Sequence, residues 1–343
     1  MRAATLTGVG ELEIQDRERP EPGDEEVLVQ VGACSVCMTD YHMYHGTFSV
    51  EPPVVPGHES AGTVVEVGTD VDTVDVGDRV AVNPTVPCTV CSYCKQGDTH
   101  LCVNNTSIGG AADTVLDGAF AEYVRVPEIC VEDIGDMDFE KAALAEPLAC
   151  CLHGVEEADI TPGDSVAIIG AGPIGLLLMQ AFRNAGAGPI VVSELDDERR
   201  EIAAELGADE VVDPDEVDPV TAIPEAAGGK VDVGVEAIGL VPTIKQANAV
   251  TDKGGTTLIF GVPSEDATME VSPFDIFYNE IAYRGSFALH TDDFQRAITM
   301  LQTDRIDAER LITERIGLDD LTTAFERMGN AEGLKKVVNP GGD

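Results

Sequence analysis

Four cysteines stand close together in one segment of the chain. Cys88, Cys91, Cys94 and Cys102 have the spacing C-x2-C-x2-C-x7-C. Four thiolates suit a closed tetrahedral zinc site, which leaves no position for a substrate. A redox cluster or a chance grouping is the alternative, but the sequence shows no secretory signal, and in the cytoplasm cysteine spacing indicates metal before disulfides. We therefore predict a structural zinc that holds together a lobe with little core of its own.

A second group of potential metal ligands lies upstream. Cys37 and His58, the latter within Gly57-His58-Glu59, offer one sulfur and one nitrogen ligand. Two protein ligands are too few for zinc, so a third ligand and a water must complete the tetrahedron. Glu146 is the predicted third ligand, and Glu59 could replace it or act as a neighbour of the metal. A histidine alone is more often a core residue, but its grouping with Cys37 predicts a catalytic zinc with an open position.

Two side chains near Cys37 could carry a proton to water. Zinc with an open position lowers the pKa of a bound alcohol and polarises the carbonyl in the reverse direction, but the proton must still leave. Thr39 lies two residues from Cys37, so its hydroxyl could accept the proton and pass it to His42. The alternative for His42 is an ordinary exposed histidine. Asp40 is predicted either to hold the ring of His58 by a hydrogen bond or to cap a helix.

A glycine-rich turn predicts a dinucleotide site. The segment Gly170-Ala-Gly172-Pro173-Ile174-Gly175 follows the apolar run Ser165–Ile169 and opens an apolar stretch that ends at Ala185. A GxGxxG pattern alone is weak evidence, and a strand before it with a helix after it is the context that supports it. The glycines permit a tight turn and close approach of the backbone to the pyrophosphate, whose charge the helix N-terminus attracts.

Glu194 predicts the choice of nicotinamide cofactor. It ends the next predicted strand, 24 residues after Gly170, where a carboxylate would bind the ribose hydroxyls and repel a 2′-phosphate. NAD is therefore expected. NADP is left open, because Arg199 or Arg200 could offer charge to that phosphate. The alternative for both arginines is a solvated helix face.

The pattern of secondary structure changes after about residue 150. Residues 1–150 hold short strand-like runs, such as Val27–Val31 and Arg79–Val82, between Gly, Pro and Asp turns, and predict a β-rich domain. From about residue 160, predicted strands, among them Thr256–Gly261, alternate with helices, which indicates a parallel, doubly wound α/β sheet. The tail beyond about residue 285 contains two predicted helices and a last strand at Lys335–Val338, and could return to the first domain.

The chain is strongly acidic. Its 343 residues include 63 Asp and Glu against 21 Lys and Arg, which gives a net charge of −42. This charge argues against nucleic acid and anionic membranes as partners. Acidic residues scattered along the whole chain predict a surface adapted to a salt-rich cytoplasm, where screening relieves self-repulsion; an ordinary acidic protein is the alternative. The sequence shows neither a secretory signal nor an apolar run of bilayer length, so a cytoplasmic protein is expected.

Together these motifs resemble the zinc-containing medium-chain dehydrogenase/reductase family over essentially the whole chain. The resemblance implies a GroES-like catalytic domain formed by residues 1–150 with 285–343, and a Rossmann domain over residues 151–284. It implies one catalytic and one structural zinc per chain, and hydride transfer to nicotinamide in a cleft between the domains. Glu146-Pro147-Leu148 and Arg284-Gly-Ser-Phe287 are similar to the sorbitol, sugar and threonine dehydrogenase branch, whose members are commonly homotetramers. A dimer is the alternative.

The predicted reaction is reversible oxidation of a secondary hydroxyl on a polyol or sugar. Sorbitol itself is disfavoured, because Ala288 stands where sorbitol dehydrogenases carry an arginine. L-Threonine 3-dehydrogenase is an alternative, and so is a simple alcohol dehydrogenase if Cys150 or Cys151, predicted as buried thiols, is the third ligand. A non-catalytic nucleotide-binding sensor of the same fold is the alternative from another class. Intact Cys37 and His58 argue against it, because a sensor has no need of an open metal position.

Overall fold

The computed structural model describes residues 1–342, and these form two compact units. The first unit contains Met1–Pro147, His290–Asp304 and the described residues from Ala308 onward. The second unit contains Leu148–Leu289 and Arg305–Asp307. None of the helices in the described part of the chain combines the length and the apolar character that crossing a bilayer requires.

The elements are numbered in chain order. The strands within residues 1–342 are β1 (Arg2–Gly8), β2 (Glu11–Asp16), β3 (Glu26–Ser35), β4 (Glu59–Val67), β5 (Arg79–Val82), β6 (Thr85–Val86), β7 (Thr106–Ile108), β8 (Thr114–Leu116), β9 (Tyr123–Pro127), β10 (Val131–Asp133), β11 (Val166–Ile169), β12 (Ile190–Ser193), β13 (Glu210–Val212), β14 (Val231–Glu236), β15 (Thr251–Ile259), β16 (Ala282–Gly285), β17 (Ile312–Ile316) and β18 (Lys335–Val338). The α-helices are α1 (Met38–Tyr44), α2 (Ser92–Gln96), α3 (Phe139–Ala142), α4 (Ala145–Glu157), α5 (Pro173–Ala185), α6 (Asp197–Glu205), α7 (Pro219–Ala227), α8 (Val241–Val250), α9 (Pro273–Asn279), α10 (Thr291–Gln302) and α11 (Leu321–Gly329).

The first unit is built mainly from β-sheets. Its largest sheet has the strand order β10–β5–β4–β3–β18–β17, and β9 also pairs with β3. Strand β3 is largely buried because neighbours cover it on both edges, and the C-terminal strand β18 lies antiparallel to its last two residues. A three-stranded sheet, β6–β7–β8, flanks the segment that carries the four clustered cysteines.

The pairing of β3 with β4 brings two distant segments together. Ser35 at the end of β3 is opposite Glu59 at the start of β4 in an antiparallel ladder. Cys37 follows β3 by two residues and His58 immediately precedes β4, so the ladder places both at the same end of the sheet. Strand β18 joins this end through the pairing of Val337 with Ser35. The sheet register is therefore what gathers the predicted catalytic ligands.

The second unit confirms the predicted doubly wound α/β sheet. Its strand order is β13–β12–β11–β14–β15–β16, and every pairing along this order is parallel. The order reverses at β11, where a crevice for a ligand is expected at the carboxyl ends of the strands. Ile169 at the end of β11 is opposite Ser193 of β12 and Glu236 of β14. The glycine-rich turn after Ile169 therefore lies beside Glu194.

Two elements differ from the sequence prediction. Helix α4 was not predicted, because Pro147 in its first turn resembles a break, although proline is tolerated there. Strand β15 was predicted over 256–261 and is observed over Thr251–Ile259. The ladder with β14 shifts register at this point, pairing Val231 with Thr251 and Val233 with Thr256. Gly254 and Gly255 lie within this irregularity of the strand.

Candidate active site and metal centres

Three potential metal ligands converge at the end of β3 and the start of β4. The ligand atoms of Cys37, His58 and Glu59 all lie within 4.8 Å of one another. His58 and Glu59 are buried and Cys37 is half-buried. Glu146, in the first turn of α4, is not a member of this group. The structure thus brings Cys37 and His58 together, while the choice of Glu146 as third ligand stays a prediction.

Asp40 holds both of these ligands in place. One of its carboxylate oxygens accepts a hydrogen bond from the backbone N–H of Cys37 at 2.8 Å, which caps α1. The other accepts from the N–H of Gly57 at 3.2 Å and lies 3.4 Å from Nδ1 of His58. Asp40 therefore stabilises the start of α1 from the third helical position, where Cys37 is the N-cap, and also approaches the ring of His58. With Nδ1 turned toward a carboxylate, Nε2 of His58 carries the lone pair that a metal needs.

The electric field of this group favours a cation. Burial alone would lower the pKa of His58, but Asp40 and Cys37 raise it well above its ordinary value of 6.5. A positive charge is therefore stabilised where the three ligands meet, and a divalent metal would supply it. One sulfur, one nitrogen and nearby carboxylate oxygens are the donor set of a catalytic zinc with an open position. The residues present fit that metal.

Glu59 has a buried counter-ion that the sequence analysis missed. Nζ of Lys335 lies 2.6 Å from both carboxylate oxygens of Glu59. Burial alone would raise the pKa of Glu59, but Lys335 and His58 hold it below its ordinary value of 4.5. Burial alone would lower the pKa of Lys335, but Glu59, Cys37 and then Glu146 raise it above 10.5. The sequence of strand β18, with two consecutive lysines followed by two valines, does not by itself distinguish a buried ammonium from an exposed one.

The predicted proton path lies on α1. Thr39 is half-buried in the first turn, and His42 follows three residues later, about one turn along the helix. The ring of His42 packs against Phe48, with centroids 5.1 Å apart, and its Nδ1 is buried without a hydrogen-bond partner in the described structure. Burial, and secondarily His45, lower the pKa of His42 below 6.5. The ring is therefore neutral near pH 7 and able to accept a proton.

The four clustered cysteines form the second candidate metal centre. The sulfur atoms of Cys88, Cys91, Cys94 and Cys102 all lie within 4.8 Å of one another. Backbone N–H groups, first that of Val90, lower the pKa of Cys88 to about 6, whereas burial and Cys91 raise that of Cys94 to about 12. Four adjacent thiols cannot all ionise without a cation between them. The donor set and its closure by protein sulfur fit a structural zinc.

The glycine-rich turn has the backbone that a pyrophosphate site requires. Gly170 has a φ of +102°, and a Cβ on Gly175 would lie 1.9 Å from the carbonyl oxygen of Gly170. Neither position tolerates another residue. Gly172 is the N-cap of α5, and Pro173 and Ile174 begin the helix. The free N–H groups of this first turn are the predicted anion site.

Glu194 reaches the glycine-rich turn. Its carboxylate accepts a hydrogen bond from the N–H of Ala171 at 2.7 Å and another from Asp196 at 3.1 Å. Arg199 lies in the first turn of α6, where its N–H bonds to the capping side chain of Asp196 at 2.9 Å. Arg200 turns inward and bonds to the carbonyl oxygens of Glu194 and Leu195. The guanidinium of Arg200 is therefore bound to backbone carbonyl groups of its own turn.

Comparisons with known proteins agree with this geometry. One protein-family model, the alcohol dehydrogenase GroES-like domain, matches residues 23–136, and a second, zinc-binding dehydrogenase, matches residues 173–303. A sorbitol dehydrogenase of Bacillus subtilis (strain 168) is 34% identical over 99% of this chain and 97% of its own. D-Arabinitol dehydrogenase 1 of Uromyces fabae is 34% identical over 92% of this chain and 90% of its own. The chain belongs to the zinc-containing medium-chain dehydrogenase/reductase family.

Solved structures of the family share the whole fold. A zinc-binding dehydrogenase of Sinorhizobium meliloti 1021 bound to NADP has a TM-score of 0.93 and 38% identity, with 99% of each chain covered. The 2R,3R-butanediol dehydrogenase of Bacillus subtilis has a TM-score of 0.90 and 33% identity, also with 99% of each chain covered. The protein is accordingly a zinc- and NAD(P)-dependent dehydrogenase that acts on alcohol groups. The GroES-like and Rossmann folds expected from the sequence are confirmed.

A second buried carboxylate in this dehydrogenase was also missed. Glu236 ends β14, and one of its oxygens accepts hydrogen bonds from the N–H groups of Ile238 and Gly239 and from the hydroxyl of Thr243. It fixes the loop that follows β14 beside the glycine-rich turn. An acidic residue at the end of an apolar parallel strand was the available signal, because charge is rarely buried there without a purpose.

Proposed function

We propose that this dehydrogenase oxidises a secondary hydroxyl of a polyol or sugar and reduces NAD. The observation that carries the proposal is the convergence of Cys37, His58 and Glu59 within 4.8 Å in a chain whose relatives include sorbitol and D-arabinitol dehydrogenases. In the overall reaction a secondary alcohol loses a proton and a hydride to become a ketone, and the hydride reduces NAD to NADH.

Cys37 and His58 are the proposed protein ligands of the catalytic zinc, with Glu146 as the third. When bound, zinc acts as a Lewis acid that lowers the pKa of the substrate hydroxyl. Asp40 keeps His58 oriented by its contact with Nδ1. Glu59 remains paired with Lys335 and serves as a charged neighbour of the ligands, because its two oxygens already have a cation at 2.6 Å.

Thr39 and His42 are the proposed path for the proton. The hydroxyl of Thr39 accepts the proton from the substrate hydroxyl and donates its own to His42. His42 then releases a proton to water. The lowered pKa of His42 supports this role, because the ring must be neutral before it can accept.

The glycine-rich turn and Glu194 are the proposed cofactor site. The N–H groups at the start of α5 bind the pyrophosphate, and Glu194 accepts hydrogen bonds from the ribose hydroxyls. The hydrogen bond that Glu194 accepts from the N–H of Ala171 at 2.7 Å supports this assignment, because it brings the carboxylate beside the glycine-rich turn. The same negative charge repels a 2′-phosphate, which favours NAD over NADP.

A substrate panel tests this function. The purified protein is assayed in concentrated KCl with NAD and sorbitol, xylitol, D-arabinitol, 2,3-butanediol, L-threonine or ethanol, and NADH absorbance is followed. We expect oxidation of one or more polyols or of the diol, with loss of turnover in Cys37→Ala. Oxidation of L-threonine alone, or of none of these alcohols, would refute the polyol proposal.

We also propose that residues 1–150 and 285–343 form the catalytic domain and that residues 151–284 form the Rossmann domain. The proposed location of the protein is the cytoplasm.

We further propose that the protein is a homotetramer. Exposed aromatic side chains on α9 support self-association: Phe274, Phe277 and Tyr278 are 65%, 79% and 63% exposed. Helix α9 contacts β15 and precedes β16, the edge strand of the parallel sheet. Light scattering should give the mass of four chains, and Phe277→Ser should reduce it; a wild-type monomer would exclude the assembly.

A further inference from the structure

Arg200 is bound on several sides by its own domain. Its side chain is only 13% exposed. One guanidinium nitrogen, Nη1, donates to the carbonyl oxygens of Glu194 at 2.7 Å and Leu195 at 2.6 Å. The other, Nη2, lies 2.8 Å from the carboxylate of Asp213 and also contacts that of Asp197. The planar fork of arginine suits such a set of acceptors, which a lysine could not satisfy together.

These contacts fix the turn that carries Glu194. The two carbonyl oxygens belong to consecutive residues between β12 and α6, so Arg200 restrains the backbone on either side of the Glu194 peptide group. The Glu194 side chain leaves this turn to accept from Ala171 in the glycine-rich turn at 2.7 Å. A continuous set of contacts therefore runs from Asp213 through Arg200 to the proposed ribose-binding carboxylate.

Because of these contacts, Arg200 is not available to bind a phosphate. Its charge is neutralised by Asp213 and Asp197, and at least four of its five N–H donors have protein acceptors. The cavity of about 520 Å³ beside Arg200 is also lined by Glu216 and Glu225. A phosphate entering this region would meet four carboxylates and a guanidinium that is already paired, so its binding is disfavoured.

We propose that Arg200 is a positioning residue that, held by Asp213, sets the preference of this dehydrogenase for NAD over NADP. It acts through Glu194 by keeping that carboxylate where it accepts the ribose hydroxyls. The inference rests on the proposed assignment of Glu194 to the ribose. The fold alone does not decide the cofactor, since the similar Sinorhizobium meliloti structure contains NADP.

Direct binding of NADH and NADPH tests the role of Arg200. The chain contains no tryptophan, so the fluorescence of the reduced nicotinamide can be followed without tryptophan background. Arg200→Met should weaken NADH binding about tenfold and NADPH binding much less, so the ratio of the two dissociation constants shrinks. The KM for NAD should rise by a larger factor than kcat falls, because Arg200 acts on the cofactor site and touches neither substrate nor metal ligands.

Arg183 offers a matched control. It also donates to backbone carbonyls, those of Gly188 at 2.8 Å and Gly207 at 2.9 Å, and to the carboxylate of Asp209 at 2.5 Å. It lies near the C-terminal end of α5, whereas the glycine-rich turn lies at the other end of that helix. Arg183→Met should lower the melting temperature without changing the NADH to NADPH ratio.

Asp213→Asn tests whether Asp213 must neutralise Arg200, and the variant is expected to fold. The asparagine retains an oxygen for the hydrogen bond that Asp213 accepts from the N–H of Asp215 at 2.9 Å. Loss of the negative charge leaves Arg200 incompletely neutralised, so NADPH binding should tighten roughly three- to tenfold.

Three results would overturn the role of Arg200. These are a wild type that prefers NADPH, equal losses for both nucleotides in Arg200→Met, and no gain for NADPH in Asp213→Asn. A protein that binds NADH with the expected ratios but oxidises no alcohol would instead refute the proposed function and leave the role of Arg200 supported.

Discussion

Lys335 and Glu59 form a buried ion pair in which one ammonium contacts both carboxylate oxygens at 2.6 Å. Both side chains are almost completely inaccessible to solvent. Glu59 follows His58 in the chain, and the ligand atoms of Cys37, His58 and Glu59 all lie within 4.8 Å of one another. The ammonium of Lys335 therefore neutralises the carboxylate of Glu59 beside the proposed zinc ligands.

Lys335→Met should destabilise the protein and alter the ligand set of the catalytic zinc site. Removing one partner leaves a buried carboxylate without a counter-ion, which costs about 3 kcal/mol of unfolding free energy or more. The freed Glu59 would then compete as a metal ligand. Zinc content, the melting temperature and turnover measure the effect.

Lys336→Met is the control for this change. Lys336 is equally buried, but its ammonium donates to the carbonyl oxygen of Glu332 at 2.7 Å, away from the zinc ligands. The Lys336→Met substitution should reduce stability and leave the zinc content at two per chain. Equal effects of both substitutions on zinc content would contradict the role assigned to Lys335.

The ion pair also predicts how stability depends on pH. The pKa of Glu59 is lowered in the folded protein, so its stabilisation is present above pH 4.5 and is lost as the pH falls through the lower folded value. The pKa of Lys335 is raised, so its stabilisation is complete below pH 10.5 and is lost as the pH rises through the higher folded value. Lys335→Met should therefore remove the alkaline loss of stability, and at acid pH protonation of the unpaired Glu59 should relieve destabilisation where in the wild type it adds to it.

His42→Gln should slow alcohol oxidation by roughly 10²-fold, because the proton loses its acceptor. The pKa of His42 lies below 6.5, so wild-type kcat/KM should hold at pH 6.5 and fall only as the pH drops through that lower value. The variant should lose this acid limb, and added imidazole should restore part of the rate. A variant with wild-type rate and pH profile would exclude His42 from the proton path.

The two zinc centres should respond differently to loss of a cysteine. Cys91→Ala should remove the structural zinc and lower the melting temperature, because the segment from Cys88 to Cys102 has few buried apolar side chains of its own. Cys37→Ala should abolish turnover but retain NADH binding, since the cofactor residues lie elsewhere in the chain. Metal analysis should find about two zinc per chain in the wild type and one in each variant. One zinc in the wild type, unaffected by Cys37→Ala, would support the sensor alternative.

The sequence predicted the two candidate centres because their ligands are close in sequence or share a ladder. The four cysteines lie within 15 residues, and Cys37 and His58 flank paired strands β3 and β4. Lys335 could not be predicted, because its partner Glu59 is 276 residues away and only the return of β18 to the sheet joins them. Sequence separation, more than residue type, set the limit of prediction.

Arg200 shows a second limit of prediction from the sequence. A charged residue on an amphipathic helix predicts a solvated side chain or a phosphate ligand, and neither describes its inward contacts. Those contacts depend on how the turn after β12 folds back over α6, which local composition does not encode. In contrast, Gly170 and Gly175 were predictable because their roles depend on backbone geometry alone.

Glu146→Gln should weaken the catalytic zinc more than Glu59→Gln does. Removing a residue that only supports a metal ligand typically reduces metal affinity by about 10- to 100-fold. Loss of a direct ligand should reduce it at least as much. Glu59→Gln should act chiefly on stability, because it leaves Lys335 buried without a charged partner. Competition with a zinc chelator measures both affinities. If Glu59→Gln loses zinc more readily than Glu146→Gln, Glu59 is the third ligand and the assignment made from sequence is wrong.

Stability should rise with salt over an unusually wide range. A net charge of −42 on 343 residues makes the folded state repel itself at low ionic strength. Raising KCl from about 0.1 M to about 2 M shortens the Debye length from about 10 Å to below about 3 Å, so the repulsion between surface carboxylates is screened. The melting temperature should increase over this range. An equal concentration of sucrose, which does not screen charge, is the control. A melting temperature that rises no more in KCl than in sucrose would show that the acidic surface is not an adaptation to a salt-rich cytoplasm.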